Sequence, residues 1–435
     1  MRYLLIALAA LLVLMVLIVF LLAQAPHMEV KSPPAAIGDA TPVTARITGK
    51  HGFQNISVTL SQDGKSSSAV VVQEHKHRLG LFRSEPPRDV TFNVGRKLAP
   101  SLHDGKAQLT FIAKANDLVG KTESQTFDVT VSTQPPHVVA DGAQHYIFQA
   151  GSELVTFTTS GYVTDSGVQV GKYRFRSFPL PSDPDHERFS LFAMAWDEPV
   201  DTKPFVYATN PTGATAQATF WYKIFPKAFR TRDLDISDKF MQDVENDIEP
   251  SGQGDQVTRF LHLNRDVRQQ NSQQLLALSL QTEPRWLWHE PFFAILGARE
   301  AMFADKRNYL YHGKKIDEQV HLGFDIAGTQ HMTIPAANDG RVIWADRLGI
   351  YGNCVVIDHG YGLQTIYGHM SQFLVKKGDA VRRLQPIGKT GQTGMAGGDH
   401  LHFSMQIDGV QVNPIEWWDA HWIHDRIWSK VPPPK

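Results

Sequence analysis

The chain has 435 residues, a formal net charge of -1 at pH 7 and an ordinary globular composition. That length fits about three domains. The balanced charge gives no general case for nucleic acid as a partner, and the single cysteine, Cys354, excludes an intramolecular disulfide and any Cys-based zinc site.

From Tyr3 to Ala23 every residue is apolar, and Arg2 stands in front. A helix of that length covers about 31 Å, enough to cross a bilayer core. Ala23-Gln24-Ala25 resembles a cleavage site, but Pro26 would then follow the scissile bond. A cleaved signal also has a shorter apolar core, about 7–15 residues. The segment 1–25 therefore reads as an uncleaved transmembrane signal-anchor, with positive charge holding the N-terminus inside. The expected location is a single pass through the inner membrane, with the later domains periplasmic.

Two β-rich blocks follow. Ile56, Val58 and Leu60 alternate with polar residues before an Asp63-Gly64-Lys65 turn. Val90/Phe92/Val94, Leu109/Phe111/Ala113 and Phe127/Val129/Val131 repeat the period of two. The pattern predicts an immunoglobulin-like β-sandwich over 28–133. Pro135-Pro136 marks a linker. Leu154/Phe157, Tyr173/Phe175, Phe189/Leu191/Ala193 and Ala218/Phe220/Tyr222 predict a second sandwich over 137–227, with rougher alternation.

A helical connector is expected over 232–282. Ser237 is its N-cap, Phe240, Val244 and Ile248 fall four apart, and Pro250 stops the first helix. A second helical stretch runs from about Gln256 to Leu278. Past Pro284 the chain turns aromatic and then β-rich, which predicts an antiparallel β domain over 290–430. The fold class is mainly β.

Nine of the 19 histidines lie between His312 and His424, so chemistry is expected there. Single motifs carry little weight, because several recur. His75-Lys76-His77 repeats the His-x-His of His400 and His402. His137/Asp141, His262/Asp266 and His421/Asp425 repeat the spacing of His321/Asp325. The first lies in a charged run, His262/Asp266 fits a helix face, and His421/Asp425 reads as packing among tryptophans. His321-Leu322-Gly323-Phe324-Asp325 differs by its glycine. On a straight strand His321 and Asp325 would stand about 13 Å apart, and a bend at Gly323 would let them converge.

In GGDHLHFSMQ, from Gly397 to Gln406, His400 and His402 share one face of a strand while Leu401 and Phe403 face the core. Two imidazoles and a carboxylate form a ligand set known from catalytic zinc sites, which keep a fourth position for water. Zinc lowers the pKa of such a water to about 7. No His-Glu-x-x-His occurs, so another group must take the proton. His400 and His369 are the available imidazoles. Spacing does not decide which of His400 and His402 is the ligand. Cys354, in an apolar strand, reads as core.

The motifs form an ordered series: HLGFD at His321–Asp325, PAANDGRV from Pro335, YGN from Tyr351, VVIDHG, Tyr367-Gly368-His369-Met370, VKKGD from Val375, TGQTG, DHLHF and Asn413-Pro414. From about Asp305 to Trp418 this series resembles the lysostaphin/LytM-type zinc metallopeptidases that cut peptides in bacterial peptidoglycan. The resemblance implies one Zn²⁺ ion held by His321, Asp325 and His402, with His369 and His400 as catalytic histidines. It also implies a compact antiparallel β-domain with a groove for an extended peptide. Gly391, Gly394, Gly397 and Gly398 would either approach substrate closely or form a flexible turn. Tyr309 and Tyr311 would either line the groove or pack in the core, with core packing the expectation, while Asp358 and His359 read as structural and His331 as incidental.

The expected protein is a membrane-anchored zinc metalloendopeptidase acting on peptidoglycan stem or cross-link peptides. The alternatives are a non-catalytic scaffold or activator of a partner wall amidase, and a peptidase of protein substrates. Expected partners are the peptidoglycan peptide, the membrane through the N-terminal helix, and envelope proteins through the Ig-like domains. D-Ala to diaminopimelate cross-links would be the default target in a diderm envelope, though no residue reads that chemistry. The helices after Ser237 could pack across the groove and hold the enzyme inactive. Activity is expected to fall below about pH 6, where free imidazole protonates.

Overall fold

The structure is a computed structural model and describes residues 2–76 and 85–433, so His77 of the second His-x-His lies outside the described residues. Helix α1 (Arg2–Leu22) has a mean hydropathy of 3.5 in its most apolar window, long and apolar enough for a membrane span. The same properties suit a signal sequence.

The chain forms two compact units. In the first, a three-stranded sheet (His27–Val30, Thr41–Thr48, Arg88–Val94) and a five-stranded sheet enclose one core. The long strands of the larger sheet, Phe53–Gln62, Gly105–Ala115 and Thr122–Val131, alternate cleanly and bury Ile56, Val58, Leu60, Leu109, Phe111 and Val129. The turn at Asp63-Gly64 takes positive φ at both residues, 49° and 75°, as a two-residue hairpin requires.

The second unit holds most of the remaining β block, the helices that follow Ser237 and the C-terminal β domain. Strands Ser152–Ser160 and Glu187–Ala193 pair antiparallel. Their alternation is rough because they are largely buried on both faces. Phe189 packs at 4.8 Å from Tyr361 and 6.1 Å from Trp286. The Arg176 amide donates to Asp408 Oδ2 at 2.7 Å and its Nε to Oδ1 at 3.0 Å. The aromatic stretch past Pro284 is thus core, with Trp288 packed edge-on against Phe292 and Trp417.

Helix α2 (Asp238–Ile248) starts at Ser237, whose side chain accepts from the Phe240 amide. Helix α3 (Gln256–His262) runs through one wide turn, Leu263–Val267, into α4 (Arg268–Ser279). α4 lays Leu275 and Leu278 on Ile343, Cys354, Val356 and Ile366. That covers one face of the main C-terminal sheet, whose path is Ala298–Ala301, Phe324–Ala327, Leu401–Ile407, Leu363–Met370, Asn353–Asp358, Gly340–Arg347 and Ala380–Val381, every pair antiparallel. Leu401–Ile407 is buried throughout, since α4 covers the face opposite the core: Gln406 Nε2 donates to Leu275 O at 3.3 Å.

Glu416 Oε2 accepts the Ser152 amide at 2.8 Å, and burial pushes the Glu416 carboxyl up to about 8. Between its unfolded value near 4.3 and about 8, the native state holds a proton that the unfolded chain has released. Stability therefore falls as pH rises through that window. Glu416→Gln mimics the protonated side chain. It should melt with the parent at pH 4.5 and several degrees above it at pH 8.5, by calorimetry. Equal melting at both values would exclude a strained carboxylate.

Candidate metal centre and active site

Strand pairing assembles the site. His321 closes the strand Lys314–His321 of a three-stranded sheet with Thr231–Asp235 and Asp305–Tyr311. Asp325 lies opposite His402 in one ladder, and Gly368 lies opposite His402 in the next, which puts His369 beside both. The donor atoms form a triangle: His321 Nε2 to Asp325 Oδ1 is 2.9 Å, His321 Nε2 to His402 Nδ1 is 3.0 Å, and His402 Nδ1 to Asp325 Oδ1 is 3.1 Å. A tetrahedral ion with bonds of about 2.0–2.1 Å spaces its ligand atoms roughly 3.3 Å apart. The three side chains fit such an ion. They are the one group of three metal-binding side chains found among the described residues.

Backbone carbonyls fix the tautomers. Since a carbonyl only accepts, His321 Nδ1–H donates to Met302 O at 3.2 Å, leaving Nε2 as the lone-pair atom at the triangle. His369 Nδ1–H donates to Thr393 O, and His400 Nδ1–H to Gly398 O, each at 2.8 Å. Both therefore keep Nε2 for chemistry. His400 Nε2 lies 3.5 Å from Asp325 Oδ1, and the His369 and His400 rings are 4.8 Å apart. His369 holds φ at 62°, a strained value for a residue with a side chain.

Burial separates the imidazoles electrostatically. It lowers His321, brings His402 to about 4 and, with the neighbouring His400 and His402, holds His369 well below its ordinary value. Burial also pulls on His400, but the hydrogen bond and charge of Asp325 outweigh it and raise the group. For Asp325, burial alone would raise the carboxyl. The surrounding imidazoles overcome it and hold the group well below the usual range.

Arg307 was missed by the sequence reading. Its Nη2 donates to Asp325 Oδ2 at 2.6 Å, leaving Oδ1 for the triangle. The only signal was an arginine on a strand whose register with His321 no spacing encodes.

The histidines open into a cavity of about 360 Å³, also lined by Ser237 and Phe240 of α2, Arg268 of α4, and Tyr309. The helices form a wall of this cavity. Tyr309 both lines it and packs on Phe260, while the Tyr311 hydroxyl donates to Asp238. Asp358 and His359 are buried in hydrogen bonds to Thr282 and to Asp339 O and Thr365. His331 meets Ser371 and Asp399 at the surface. His421 is exposed rather than packed, and Asp425 pairs with His424. Of the four loop glycines, Gly391 and Gly394 sit against backbone, while Gly397 and Gly398 face open space.

The sheet thus presents a His–Asp–His triangle with two further histidines beside it, a donor set that fits a zinc ion with a fourth position left for water. Residues 319–414 match Peptidase family M23, and the C-terminal region carries a domain of that family. M23 peptidases are zinc metallopeptidases. The chain is 40% identical over 97 residues to the DD-carboxypeptidase/endopeptidase Mpg of Neisseria meningitidis, covering 22% of each protein. It is 40% identical over 95 residues to the murein hydrolase activator EnvC of Escherichia coli, covering 22% of this chain and 23% of EnvC. The match thus spans about a fifth of the length of these curated relatives. The catalytic domain of lysostaphin from Staphylococcus simulans is 21% identical, with a TM-score of 0.22, over 34% of this chain and 96% of that one.

Proposed function

We propose that this protein is a membrane-anchored zinc endopeptidase that hydrolyses peptide bonds in peptidoglycan stem or cross-link peptides. The observation that carries the reading is the complete set of five side chains, three converging on one point and two presenting Nε2 beside it. His321, Asp325 and His402 would hold one zinc ion. When bound, zinc supplies a Lewis acid that polarises a carbonyl and acidifies water.

The protein's own groups do the rest. His369, kept neutral by burial, takes the proton of the attacking water at Nε2. His400, whose charged form the neighbouring Asp325 favours against the pull of burial, would in that form donate from Nε2 to the carbonyl oxygen as it gains charge. Arg307 holds Asp325 in place. The helix α1 anchors the chain in the inner membrane, the catalytic domain works in the periplasm, and the first β unit meets envelope proteins.

The test is dye release from purified sacculi by the full-length protein, with and without a chelator, across pH. Digestion should need metal. Because burial holds His369 and the ligand imidazoles neutral, the acid limb should lie below the pH 6 expected from free imidazole. The alkaline limb should follow loss of the His400 proton above its ordinary value. Undiminished digestion by metal-free protein would refute the reading. The likeness to EnvC favours one other reading, an activator of a wall hydrolase, which would leave sacculi undigested but speed a partner amidase.

A further inference from the structure

The cavity beside the histidines contains a guanidinium that the hydrolytic chemistry leaves unused. Arg268, the first residue of α4, lines it together with Ser272 one turn on. Of the other charged side chains lining the cavity, Arg307 is neutralised by Asp325 at 2.6 Å, and Asp235 lies at the exposed end of its strand. Arg268 makes no ion pair with a described residue. Its partners are neutral: Nε donates to Asn264 O at 3.0 Å, and Nη2 to Asn264 Oδ1 at 2.7 Å and to Met395 Sδ at 3.4 Å.

Those partners are themselves fixed. Asn264 is fully buried, and its Nδ2 donates to Asp317 Oδ2 at 2.7 Å. Arg265 Nε donates to the other oxygen of Asp317 at 2.9 Å, so that carboxylate is satisfied. Asn264 therefore relays no negative charge to Arg268. It orients it. The wide turn Leu263–Val267 ends at Arg268, and such single-turn insertions re-aim the residues that follow them and occur often at functional sites. The result is a pre-oriented cation, without an ion-pair partner among the described residues, at the wall of a cavity whose adjoining surface is apolar, with Phe240, Ile350 and Met395. A planar guanidinium held this way matches a carboxylate in two-point contact.

We infer that Arg268 is a specificity-determining residue, and that the cavity binds peptides bearing a free carboxylate near the cleaved bond, their aliphatic portion against the apolar wall. The inference rests on the peptidase reading for its substrate. The residue itself lies outside the family match, in the preceding helices, so it would be particular to chains that build this wall. The carboxylate could be a chain terminus or an acidic side chain, and the two are separable.

The test measures binding, by fluorescence anisotropy, of dansylated pentapeptides to the full-length protein with metal removed. One pair ends in D-alanyl-D-alanine as free acid or as amide. The other is amidated at its end and carries Glu or Gln at the penultimate position. The parent protein should prefer the acid of one pair by about tenfold or more, and that pair identifies the source of the carboxylate. Arg268→Gln should reduce the preference to within about twofold, and Arg268→Lys should keep part of it. The inference is overturned if the parent shows no preference in either pair, or if Arg268→Gln retains it while still folded by circular dichroism. A preference that depends on Arg268 in a protein that digests nothing would leave this inference standing and remove the peptidase reading.

Discussion

His321→Ala should strip the bound zinc and stop wall digestion together. The triangle at 2.9, 3.0 and 3.1 Å has one corner per side chain. Without His321, two corners remain, and Asp325 is still drawn to Arg307. A zinc site that keeps a position for water uses three protein ligands, so occupancy measured by mass spectrometry should fall from near one to near zero. Dye release should fall by at least about a thousandfold, the order of loss when a concerted catalytic set is broken. His369→Ala separates the proton step from the metal: it should keep its zinc and still lose about 10²–10⁴ in rate. If the zinc-free His321→Ala protein digests sacculi at the parental rate, the centre has another role. If neither protein digests but both stimulate an amidase equally, the activator reading takes its place.

The ordered motif series singles out His321, Asp325, His369, His400 and His402 as a set, and the structure brings these side chains together. The series did not make their arrangement legible. What brings Asp325 and Gly368 to either side of His402 is strand register, and register between segments far apart in the chain has no signature in spacing. Arg307 and Arg268 escaped for the same reason, since each acquires meaning only from a distant partner or cavity. The first β block read cleanly because one face of each long strand meets solvent. The second read roughly because its strands are buried on both sides, which removes the period-two signal. In α2 the four-residue stripe faces inward as its period predicts: Val244 is buried, and Phe240 and Ile248 are half-buried against neighbouring cores, with Met241 buried beside them.

Gly323→Ala should weaken zinc binding although residue 323 offers no ligand. The chain bends at Gly323, as the motif predicts, but its φ is not among the positive values that need glycine, so alanine can adopt its backbone. What it lacks is room. A Cβ there would lie 2.6 Å from both Cε1 and Nε2 of His402 and 2.7 Å from the carbonyl oxygen of Phe403. Phe403 sits in a strand paired on both sides, so its carbonyl cannot retreat without breaking the ladder. The imidazole is the softer neighbour, and it must swing, carrying Nδ1 away from Asp325 and His321. Overpacking of this kind costs about 1–3 kcal/mol of stability. Misplacing a support for a metal ligand costs about 10–100-fold in affinity. Competition with a chelating dye should therefore show zinc held at least tenfold more weakly by Gly323→Ala, with hydrolysis lowered in step at limiting metal. Gly142→Ala, where a Cβ meets nothing within 4 Å, should match the parent. If Gly323→Ala melts lower yet binds zinc within about twofold of the parent, the close approach serves packing alone and the imidazole of His402 is held by something other than the space beside it.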